Sequence, residues 1–596
     1  GITESLLRNG INPNPDMKMQ KLSNGKYLVV FLDDNTAEDS YNCTHVYYTV
    51  GDGTTWAEPK LVENDGTTDD APVIYDLGEK GIYVAWSSSD RKLTDKDSVI
   101  DTLNSMNIHG AFFDENTEKF GNIDEITYTA PHTYTEDGVA ISDTTADVDP
   151  YISYDAVSNQ MMMFYTKVEY ESTSSDDQGL VGDVANAYSV IAYRVYDFGS
   201  GRWTDTYKDA EGMSEDYTKA WYGQRFLELA PLAVVNEELD ENGYWAKEPD
   251  MTPYERTTYT AEDGNVYEQD PIVIESTAAT YNGLALYAYV LDYDGNKKTE
   301  NDRDIFMQIY NYSEGIFTHP IMVTTTGSIA ESNIEFVRYG NTTLLSYLAE
   351  NTIYSLDMSN AVEGLKSAEI NGSTVYYIDK TAPQGDDVEG VTYQYTPATV
   401  VAGTKVNDGV SEIENDKEND ESIVDFKTKA TDNFVYYIWT KTGTVVKKGI
   451  DENSEEALKA DNRVSESQIY ISRYDVNGEF ITDPVQVTDE EGANYGSLAF
   501  EVENGDAGNV KLLATKAATK IETMEGKDES GNVIKSDIVT ADTENKSLVS
   551  LEFSPVSTVK VQDEMINELT AGSESGAGFT LYNAGLQTLS NLKVTV

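Results

Sequence analysis

The sequence is poor in cysteine and histidine, which removes the material for two common kinds of site. Cys43 is the single cysteine among 596 residues, so the chain can form neither an intrachain disulfide nor a thiolate metal cluster. The four histidines are too few for a histidine-rich zinc site or a histidine relay. Two of them, His45 and His109, fall inside predicted strands, where we expect packed side chains.

Long apolar runs and positive charge are also scarce. No run of about 18 apolar residues is present, so the sequence predicts no direct membrane insertion in this fragment. Lys and Arg number 42 against 105 Asp and Glu, which gives a formal net charge of −63. Nucleic acid and other polyanions are therefore unfavourable partners. The many carboxylates keep the surface solvated and also offer ligands to divalent cations.

The abundant residues favour strands over helices. The chain contains 41 Tyr, 16 Phe and 6 Trp, and aromatic residues are enriched in β-sheets. Runs of leucine and alanine that would favour helices are rare. The composition therefore predicts an all-β protein.

A strand pair with a strongly apolar second strand recurs seven times along the chain. The pairs are 17–20 with 26–32, 73–76 with 81–86, 151–154 with 160–166, 272–275 with 283–289, 334–337 with 342–348, 423–426 with 433–439, and 498–502 with 509–515. A third strand follows most pairs, at 44–49, 106–113, 189–196, 304–312 and 468–475. Radially repeated four-stranded units form a β-propeller. The sequence predicts a seven-bladed β-propeller over 1–553, with six or eight blades as alternatives and insertions near 208–264 and 365–420.

A turn that ends on an aromatic residue, in most copies with a glycine, follows several third strands. The stretch YYTVGDGTTWAEP (47–59) is one copy, and others end on Phe120, Trp203, Phe317 and Phe480. Glycine supplies a positive φ, Asp bonds back to the turn backbone, and the aromatic side chain packs between sheets. This turn resembles the Asp box of sialidase-like propellers, in a degenerate form because Asp52 directly precedes Gly53.

The resemblance to sialidases implies the fold and the turn but not the active site. That family has an Arg-Ile-Pro motif at the first inner strand and three arginines that bind the substrate carboxylate. In this sequence the corresponding strands begin with acids, and Arg194, Arg202 and Arg303 fall at third-strand or turn positions. We therefore do not expect sialidase activity.

The strand pattern of the sequence changes after residue 553. The segment FTLYNAGLQTLSNLKVTV (579–596) resembles the strand-turn-strand of immunoglobulin-like (Ig-like) modules that follow catalytic or adhesive heads in bacterial surface proteins. The segment 554–596 is therefore interpreted as an Ig-like β-sandwich segment. It is shorter than the roughly 100 residues of a complete module, so the segment is incomplete or abbreviated.

Four predicted inner strands begin with a similar acidic four-residue motif. The spellings DDAP (69–72), DVDP (147–150), EQDP (268–271) and ESNI (331–334) place Asp69, Asp147, Glu268 and Glu331 at matching positions. Inner-strand starts of a propeller converge on one face, where such acids would bind calcium or the hydroxyl groups of a polyol. The alternative is that Asp before Pro only caps a turn.

The insertion 208–264 is the second candidate ligand site because it is rich in aromatic residues. Trp221, Tyr222, Arg225 and Trp245 combine flat rings with hydrogen-bonding groups, and this combination suits the apolar faces of sugars. A loop of this length is often functional. The alternative is that these residues form an extra strand pair that covers a blade.

Three functions fit the sequence. The preferred one is an extracellular or cell-wall-attached bacterial binding protein of adhesin type, which recognises a glycan or a cell-surface protein, with calcium as a candidate cofactor. The second is a glycoside hydrolase or polysaccharide lyase. The Asp149-Pro150 and Asp270-Pro271 spellings resemble the strand start that holds a catalytic carboxylate in propeller glycosidases of the arabinanase and xylosidase type. The third is a structural or interaction module without a small-molecule site.

Overall fold

The structure is a computed structural model of the 596-residue chain. It describes residues 1–97, 99–127, 132–136, 139–173, 187–203, 225–227, 257–260, 266–269, 272–292, 303–313, 316–317, 321–323, 330–340, 342–358, 365–370, 373–378, 410–415, 421–475, 480–481, 484–556, 559–565, 578–583 and 585–593. The chain divides into two compact units. Unit 1 contains Gly1–Val29, Thr49–Glu58 and Glu418–Val596, and unit 2 contains Val30–Tyr48 and Pro59–Lys417.

The first five strands include segments of both units. They are β1 (Ile2–Asn9), β2 (Lys18–Lys21), β3 (Tyr27–Asp34), β4 (Thr44–Gly51) and β5 (Lys60–Leu61). The division between the units passes within β3 and within β4. His45 lies in β4, as the sequence predicts.

The other described residues of unit 2 lie mostly in strands. Its first strands are β6 (Asp69–Asp76), β7 (Ile82–Ser89), β8 (Met106–Asp114), β9 (Lys119–Phe120), β10 (Asp124–Glu125), β11 (His132–Glu136), β12 (Val139–Asp155), β13 (Gln160–Thr173), β14 (Ala187–Asp197), β15 (Arg202–Trp203), β16 (Arg225–Leu227), β17 (Thr257–Thr260) and β18 (Val266–Gln269). The later ones are β19 (Ile272–Tyr281), β20 (Leu284–Asp292), β21 (Arg303–Asn311), β22 (Ile316–Phe317), β23 (Ile321–Met322), β24 (Glu331–Tyr339), β25 (Thr342–Ala349), β26 (Thr352–Asp357), β27 (Leu365–Ile370), β28 (Ser373–Ile378) and β29 (Val410–Asn415). Among the described residues of unit 2, the helical elements are α1 (Val99–Asn104) and a 3₁₀ turn at Gly78–Lys80.

Four sheets of unit 2 share one plan, in which consecutive strands pair antiparallel as a meander. Their strand orders are β10-β8-β7-β6, β11-β12-β13-β14-β15, β19-β20-β21-β22 and β24-β25-β26-β29. The last of these includes β29, which lies in the region predicted as an insertion. We call β6, β12, β19 and β24 the first strands because each opens one of the predicted pairs.

The central strands of these sheets are apolar because sheets cover both of their faces. In β13, Met161 and Met163 pack with the sheet of β6–β8, whereas Met162 and Phe164 pack with the sheet of β19–β21. The next core, between the sheets of β19–β21 and β24–β26, includes Leu286 and Leu345. Face-to-face packing of successive meanders is the arrangement of propeller blades.

The strands of unit 1 beyond residue 420 form one large sheet and two separate hairpins. They are β30 (Ser422–Ala430), β31 (Val435–Val446), β32 (Arg463–Asp475), β33 (Phe480–Ile481), β34 (Val485–Gln486), β35 (Asn494–Val502), β36 (Val510–Ala517), β37 (Thr519–Lys527), β38 (Val533–Ala541), β39 (Ser547–Phe553), β40 (Val559–Met565) and β41 (Gly578–Asn583), with 3₁₀ turns at Glu455–Leu458 and Ala460–Asn462. The sheet order is β1-β39-β36-β35-β32-β31-β30. The N-terminal strand β1 thus pairs antiparallel with β39 near the other end of the chain.

The prediction of an all-β fold made of repeated antiparallel meanders is confirmed. All seven predicted strand pairs and all five predicted third strands are strands of the structure. The number of blades and the domain boundary after residue 553 stay predictions. In 554–596 the described residues contain one two-stranded ladder, β40 with β41, so the Ig-like interpretation also stays a prediction. Within the described residues, no helix is long and apolar enough to cross a membrane.

The glycine turn of unit 1 has the predicted hydrogen bonds. Asp52 Oδ1 accepts from the backbone N–H of Thr55 at 2.7 Å and of Thr54 at 2.8 Å. These two donors lower the pKa of Asp52 below its ordinary value. Gly53 has a φ of 98°, which an L side chain rarely adopts. The turn is therefore held by its own backbone, and Trp56 is only half-buried.

The copy of this turn in unit 2 buries its aromatic residue fully. Trp203 is 2% exposed and packs with the rings of Tyr83 and Tyr196, at centroid distances of 5.8 and 5.4 Å. Trp203 Nε1 donates to the Tyr83 hydroxyl at 3.0 Å, and that hydroxyl donates to Asp124 Oδ2 at 2.9 Å. The aromatic residue of this turn joins neighbouring sheets, as the sequence predicts.

Candidate functional site at the starts of the first strands

Three of the four first strands of unit 2, namely β6, β12 and β24, carry a similar bulge. The pairing register shifts between Asp70 and Val73 in β6, between Val148 and Tyr151 in β12, and between Ser332 and Glu335 in β24. Each bulge contains one residue other than glycine in the left-handed region, namely Ala71 (φ 50°), Asp149 (φ 54°) and Asn333 (φ 52°). We call these three residues the bulge row. Two strands of unit 1 have the same kind of bulge, with Asp425 and Ser497 in the left-handed region.

Bulges of this kind redirect side chains, and strained backbone of this kind concentrates at functional sites. Asp and Asn tolerate the left-handed region better than other residues with a side chain. Asp149 is exposed, whereas Ala71 and Asn333 are half-buried. The backbone N–H of Asn333 donates to Glu275 Oε2 at 2.8 Å, which ties β24 to β19. The bulge row therefore places two oxygen-bearing side chains at accessible positions on a fixed backbone.

Three of the four predicted acids lie at the same place relative to this bulge. Asp69, Asp147 and Glu331 each precede a bulge-row residue by two positions, and they are 3%, 0% and 1% exposed. Glu268 lies in β18, which pairs with β17 rather than with a first strand. Its side chain lies outside the described part of the chain. Metal binding by these four acids stays a prediction.

Asp147 is held in a buried ion pair. Its carboxylate lies 2.7 Å from Lys167 Nζ, and both side chains are completely buried. The two residues face each other in the register of β12 and β13. Because burial of a lone charge is very costly, each of the two charges depends on the other. The carboxylate of Asp147 is thus already compensated by a lysine.

Asp69 is buried beside a histidine. Asp69 Oδ2 accepts from the backbone N–H of Val46 at 3.1 Å and lies 3.8 Å from Nδ1 of the buried His45. Burial raises the pKa of Asp69 well above its ordinary value, although the hydrogen bonds from Val46 and Ser88 oppose this shift. The side chain therefore favours its neutral form over a wider pH range than an exposed aspartate.

We expect Asp69→Asn to remove part of the pH dependence of stability. The folded-state pKa of Asp69 lies above the unfolded-state value, so its contribution is complete below the unfolded pKa and is lost as pH rises through the folded pKa. One such group gives a slope of up to about 1.4 kcal/mol per pH unit. Asn keeps an oxygen for the Val46 N–H. Hydrogen exchange of β6 at several pH values measures the slope, and an unchanged slope in the variant would contradict this account.

Glu331 also contributes to a buried polar environment. Burial raises the pKa of Tyr347, and the negative charge of Glu331 raises it further. Glu331 faces Ala349 in the register of β24 and β25. Three of the four predicted acids, Asp69, Asp147 and Glu331, are therefore buried, whereas the accessible side chains lie two residues later.

The aromatic insertion lies mostly outside the described residues. Trp221, Tyr222 and Trp245 are among the residues that the structure does not describe. Arg225 begins β16 and faces Tyr193 of β14, but its side chain is outside the described part. Their proposed role in ligand binding stays a prediction.

The arginines of unit 2 lie where the sequence predicts. Arg194 is in β14, Arg202 begins β15 and Arg303 begins β21. Arg194 is 2% exposed, and Arg303 Nε donates to Asp292 Oδ2 at 3.1 Å. These positions are third strands and turns, not starts of first strands.

A separate group of potential metal ligands lies near β6. Glu63, Asp65 and His109 each offer one ligand atom, and the three atoms lie within 4.8 Å of one another. His109 Nδ1 is 2.8 Å from Glu63 Oε2. Glu63 and Asp65 precede β6, and His109 lies in β8. The sequence predicts His109 in a strand, which is confirmed, but spacing alone does not predict these two acidic neighbours.

No known protein family and no curated protein matches the sequence. Among solved structures, an ulvan lyase of polysaccharide lyase family PL25 is 8% identical with a TM-score of 0.39, over 87% of this chain and 93% of that one. A Dyadobacter fermentans protein of unknown function is 9% identical with a TM-score of 0.35, over 74% and 94%. The NanB sialidase of Streptococcus pneumoniae is 9% identical with a TM-score of 0.29, over 91% and 71%. Similarity at this level assigns neither a family nor an activity to this chain.

Proposed function

We propose that the protein is a secreted or cell-wall-attached bacterial protein that binds an extracellular glycan at the bulge row of unit 2. The observation that carries this proposal is the recurrence of one left-handed bulge in three of the four meander sheets of unit 2, with the accessible side chains of Asp149 and Asn333 at two of its copies. Carboxylate and amide oxygens accept hydrogen bonds from sugar hydroxyl groups. Oxygen atoms held on a fixed backbone in separate sheets suit a ligand with several hydroxyl groups, such as a chain of sugar units.

The charge of the protein restricts the class of glycan. With a formal net charge of −63, most of the surface repels a polymer of uronates or sulfated sugars. An uncharged glycan meets no such repulsion. Calcium is a candidate cofactor because it binds carboxylates and sugar hydroxyls together. The proposed ligand is therefore a neutral polysaccharide, with calcium as an optional bridge.

Asp149→Gly is expected to weaken glycan binding about tenfold or more, because a hydrogen bond to a charged group contributes about 1.5–3 kcal/mol. Glycine adopts the left-handed φ of this position without strain, so the backbone should persist. Asn159→Gly is the matched control, since Asn159 also has a left-handed φ, of 53°, and is exposed in the turn between β12 and β13. A glycan array in calcium and in chelator, followed by titration of the strongest neutral ligand, measures the effect.

The outcomes separate the alternatives. Equal binding by the Asp149→Gly and Asn159→Gly variants would contradict a site at the bulge row, and loss on Trp221→Ala would place it in the insertion. New reducing ends or unsaturated sugar products would support the hydrolase or lyase. Silence on the array under both conditions would favour recognition of a protein, or a structural module.

A further inference from the structure

Glu63, Asp65 and His109 form a group that the proposed glycan site does not use. His109 is on β8, and the two acids lie in the segment between β5 and β6. The side chain of His109 is 8% exposed and that of Glu63 is 16% exposed, while Asp65 is exposed. The group is thus anchored in a sheet on one side and open to solvent on the other, so an ion has a path to it.

Neighbouring groups fix the orientation of these side chains. Thr67 donates to Asp65 twice, from its backbone N–H to Oδ1 at 3.0 Å and from its hydroxyl to Oδ2 at 2.8 Å. The ring of His109 packs edge-on against the buried Trp86, with a centroid distance of 6.1 Å. Partners of this kind orient the ligands of metal sites. The donor atoms therefore converge before any ion binds.

A second, independent observation comes from buried polar atoms on the same face of the sheet. Asn107 is 4% exposed, and its Oδ1 has no hydrogen-bond partner. It lies two residues from His109 on β8, so both side chains project from the same face. Ser88 faces Asn107 in register, and its hydroxyl lies 3.2 Å from that of Thr67. Ser88 and Thr67 thus lie between Asn107 and Asp65, because the Thr67 hydroxyl also donates to Asp65.

His45 adds to the unsatisfied polar atoms near this group. Its Nδ1 and Nε2 are buried without a hydrogen-bond partner, and it lies beside Asp69, which faces Ser88 in register. Buried polar groups are nearly always satisfied, and those that are not commonly indicate an ordered water or an ion. These unsatisfied atoms of Asn107 and His45 therefore indicate an ordered water or an ion in this part of unit 2.

We propose that Glu63, Asp65 and His109 bind one divalent transition-metal ion, with zinc as the best match. One imidazole and two carboxylates suit zinc and its neighbours, whereas calcium takes six to eight oxygen ligands. Three protein ligands leave a coordination position open for water. Metal–donor distances of about 2.0–2.2 Å require the His109–Glu63 pair, now 2.8 Å apart, to separate slightly.

The test uses the full chain after treatment with a chelator and dialysis. Zinc is added in the presence of excess calcium and magnesium, which occupy the many sites made only of carboxylates. Retained zinc is measured by elemental analysis, and affinity by competition with a chromogenic chelator. We expect one tightly held zinc ion per chain. His109→Gln should weaken its binding by 100-fold or more, whereas His132→Gln, in β11, should leave it unchanged.

Cobalt bound in place of zinc gives a spectroscopic readout of the metal ligands, which a merely structural role of His109 would not change. Absorption bands of bound cobalt report its ligands, so we expect the bands of the wild-type protein to be lost in His109→Gln and retained in His132→Gln. Circular dichroism in chelator checks folding, and Asp65→Asn, at an exposed position, replaces His109→Gln if that variant does not fold. Absence of retained zinc in the folded wild-type protein, or equal zinc affinity in the His109 and His132 variants, would overturn the proposal.

Discussion

Lys167→Met is expected to destabilise the sheet of β12 and β13 by about 3–5 kcal/mol, because it leaves the carboxylate of Asp147 buried without its partner. Lys167 and Asp147 are both completely buried and lie 2.7 Å apart. In a chain with two compact units, global unfolding need not be two-state. Hydrogen exchange of peptides that cover 147–167 is therefore the suitable measurement. Exchange should accelerate by about 10²–10⁴-fold, since each 1.4 kcal/mol corresponds to a factor of ten.

Two further variants make this prediction specific. Lys92→Met removes a lysine whose side chain is 60% exposed and which pairs with Glu38 at 3.1 Å, and exposed pairs contribute about 0–1 kcal/mol. The double variant Asp147→Leu with Lys167→Met removes both charges and should recover most of the lost stability. A cost below about 1 kcal/mol for Lys167→Met alone would show that the pair is not buried as described.

Trp203→Ala is expected to cost about 3–5 kcal/mol, the usual loss when a buried tryptophan becomes alanine. Trp203 is 2% exposed and belongs to the core between the sheets of β6–β8 and β12–β14. The substitution leaves a cavity beside Tyr83 and removes the hydrogen bond to its hydroxyl. Hydrogen exchange of β7 and β13, together with the midpoint of thermal unfolding, measures the loss.

Trp203→Phe separates packing from the hydrogen bond. It keeps most of the buried ring and removes only the Nε1 donor, so we expect a cost of about 1–2 kcal/mol. Neither variant should alter glycan affinity in protein that remains folded. Loss of binding with unchanged stability would instead assign the aromatic residue of this turn a direct role in recognition.

The fold could be predicted from the sequence because central strands have a clear signal. A strand covered on both faces is continuously apolar, as in LALYAYVLD of β20, where every residue is buried. Such runs are visible without a structure, and so are the turns that separate them. β29 was harder to predict because it follows a long segment after β26 and is short and acidic.

The candidate site could be predicted only in part. The acidic spelling correctly indicates equivalent positions for Asp69, Asp147 and Glu331, because all three precede the same bulge. The bulge itself was missed, since it depends on a left-handed φ at Asp149 and Asn333 that spacing does not encode. Sequence spacing therefore indicated the buried acids rather than the accessible residues two positions later.

The contact of His109 with Glu63 could not be predicted, because it joins residues 46 positions apart. A histidine in a strand is more often a packed residue than a ligand, and β8 does place His109 against Trp86. What distinguishes it is the conformation of the segment before β6, which brings two carboxylates to the ring. Only tertiary structure shows this arrangement.

Hydrogen exchange with and without a bound neutral glycan tests the central claim most directly. The account predicts protection at the bulges, in peptides that cover 69–73, 147–151 and 331–335, and no change in the segment 155–160 that connects β12 with β13. Protection that is confined to other segments, with the three bulges unaffected at saturating ligand, would contradict a glycan site at the starts of the first strands.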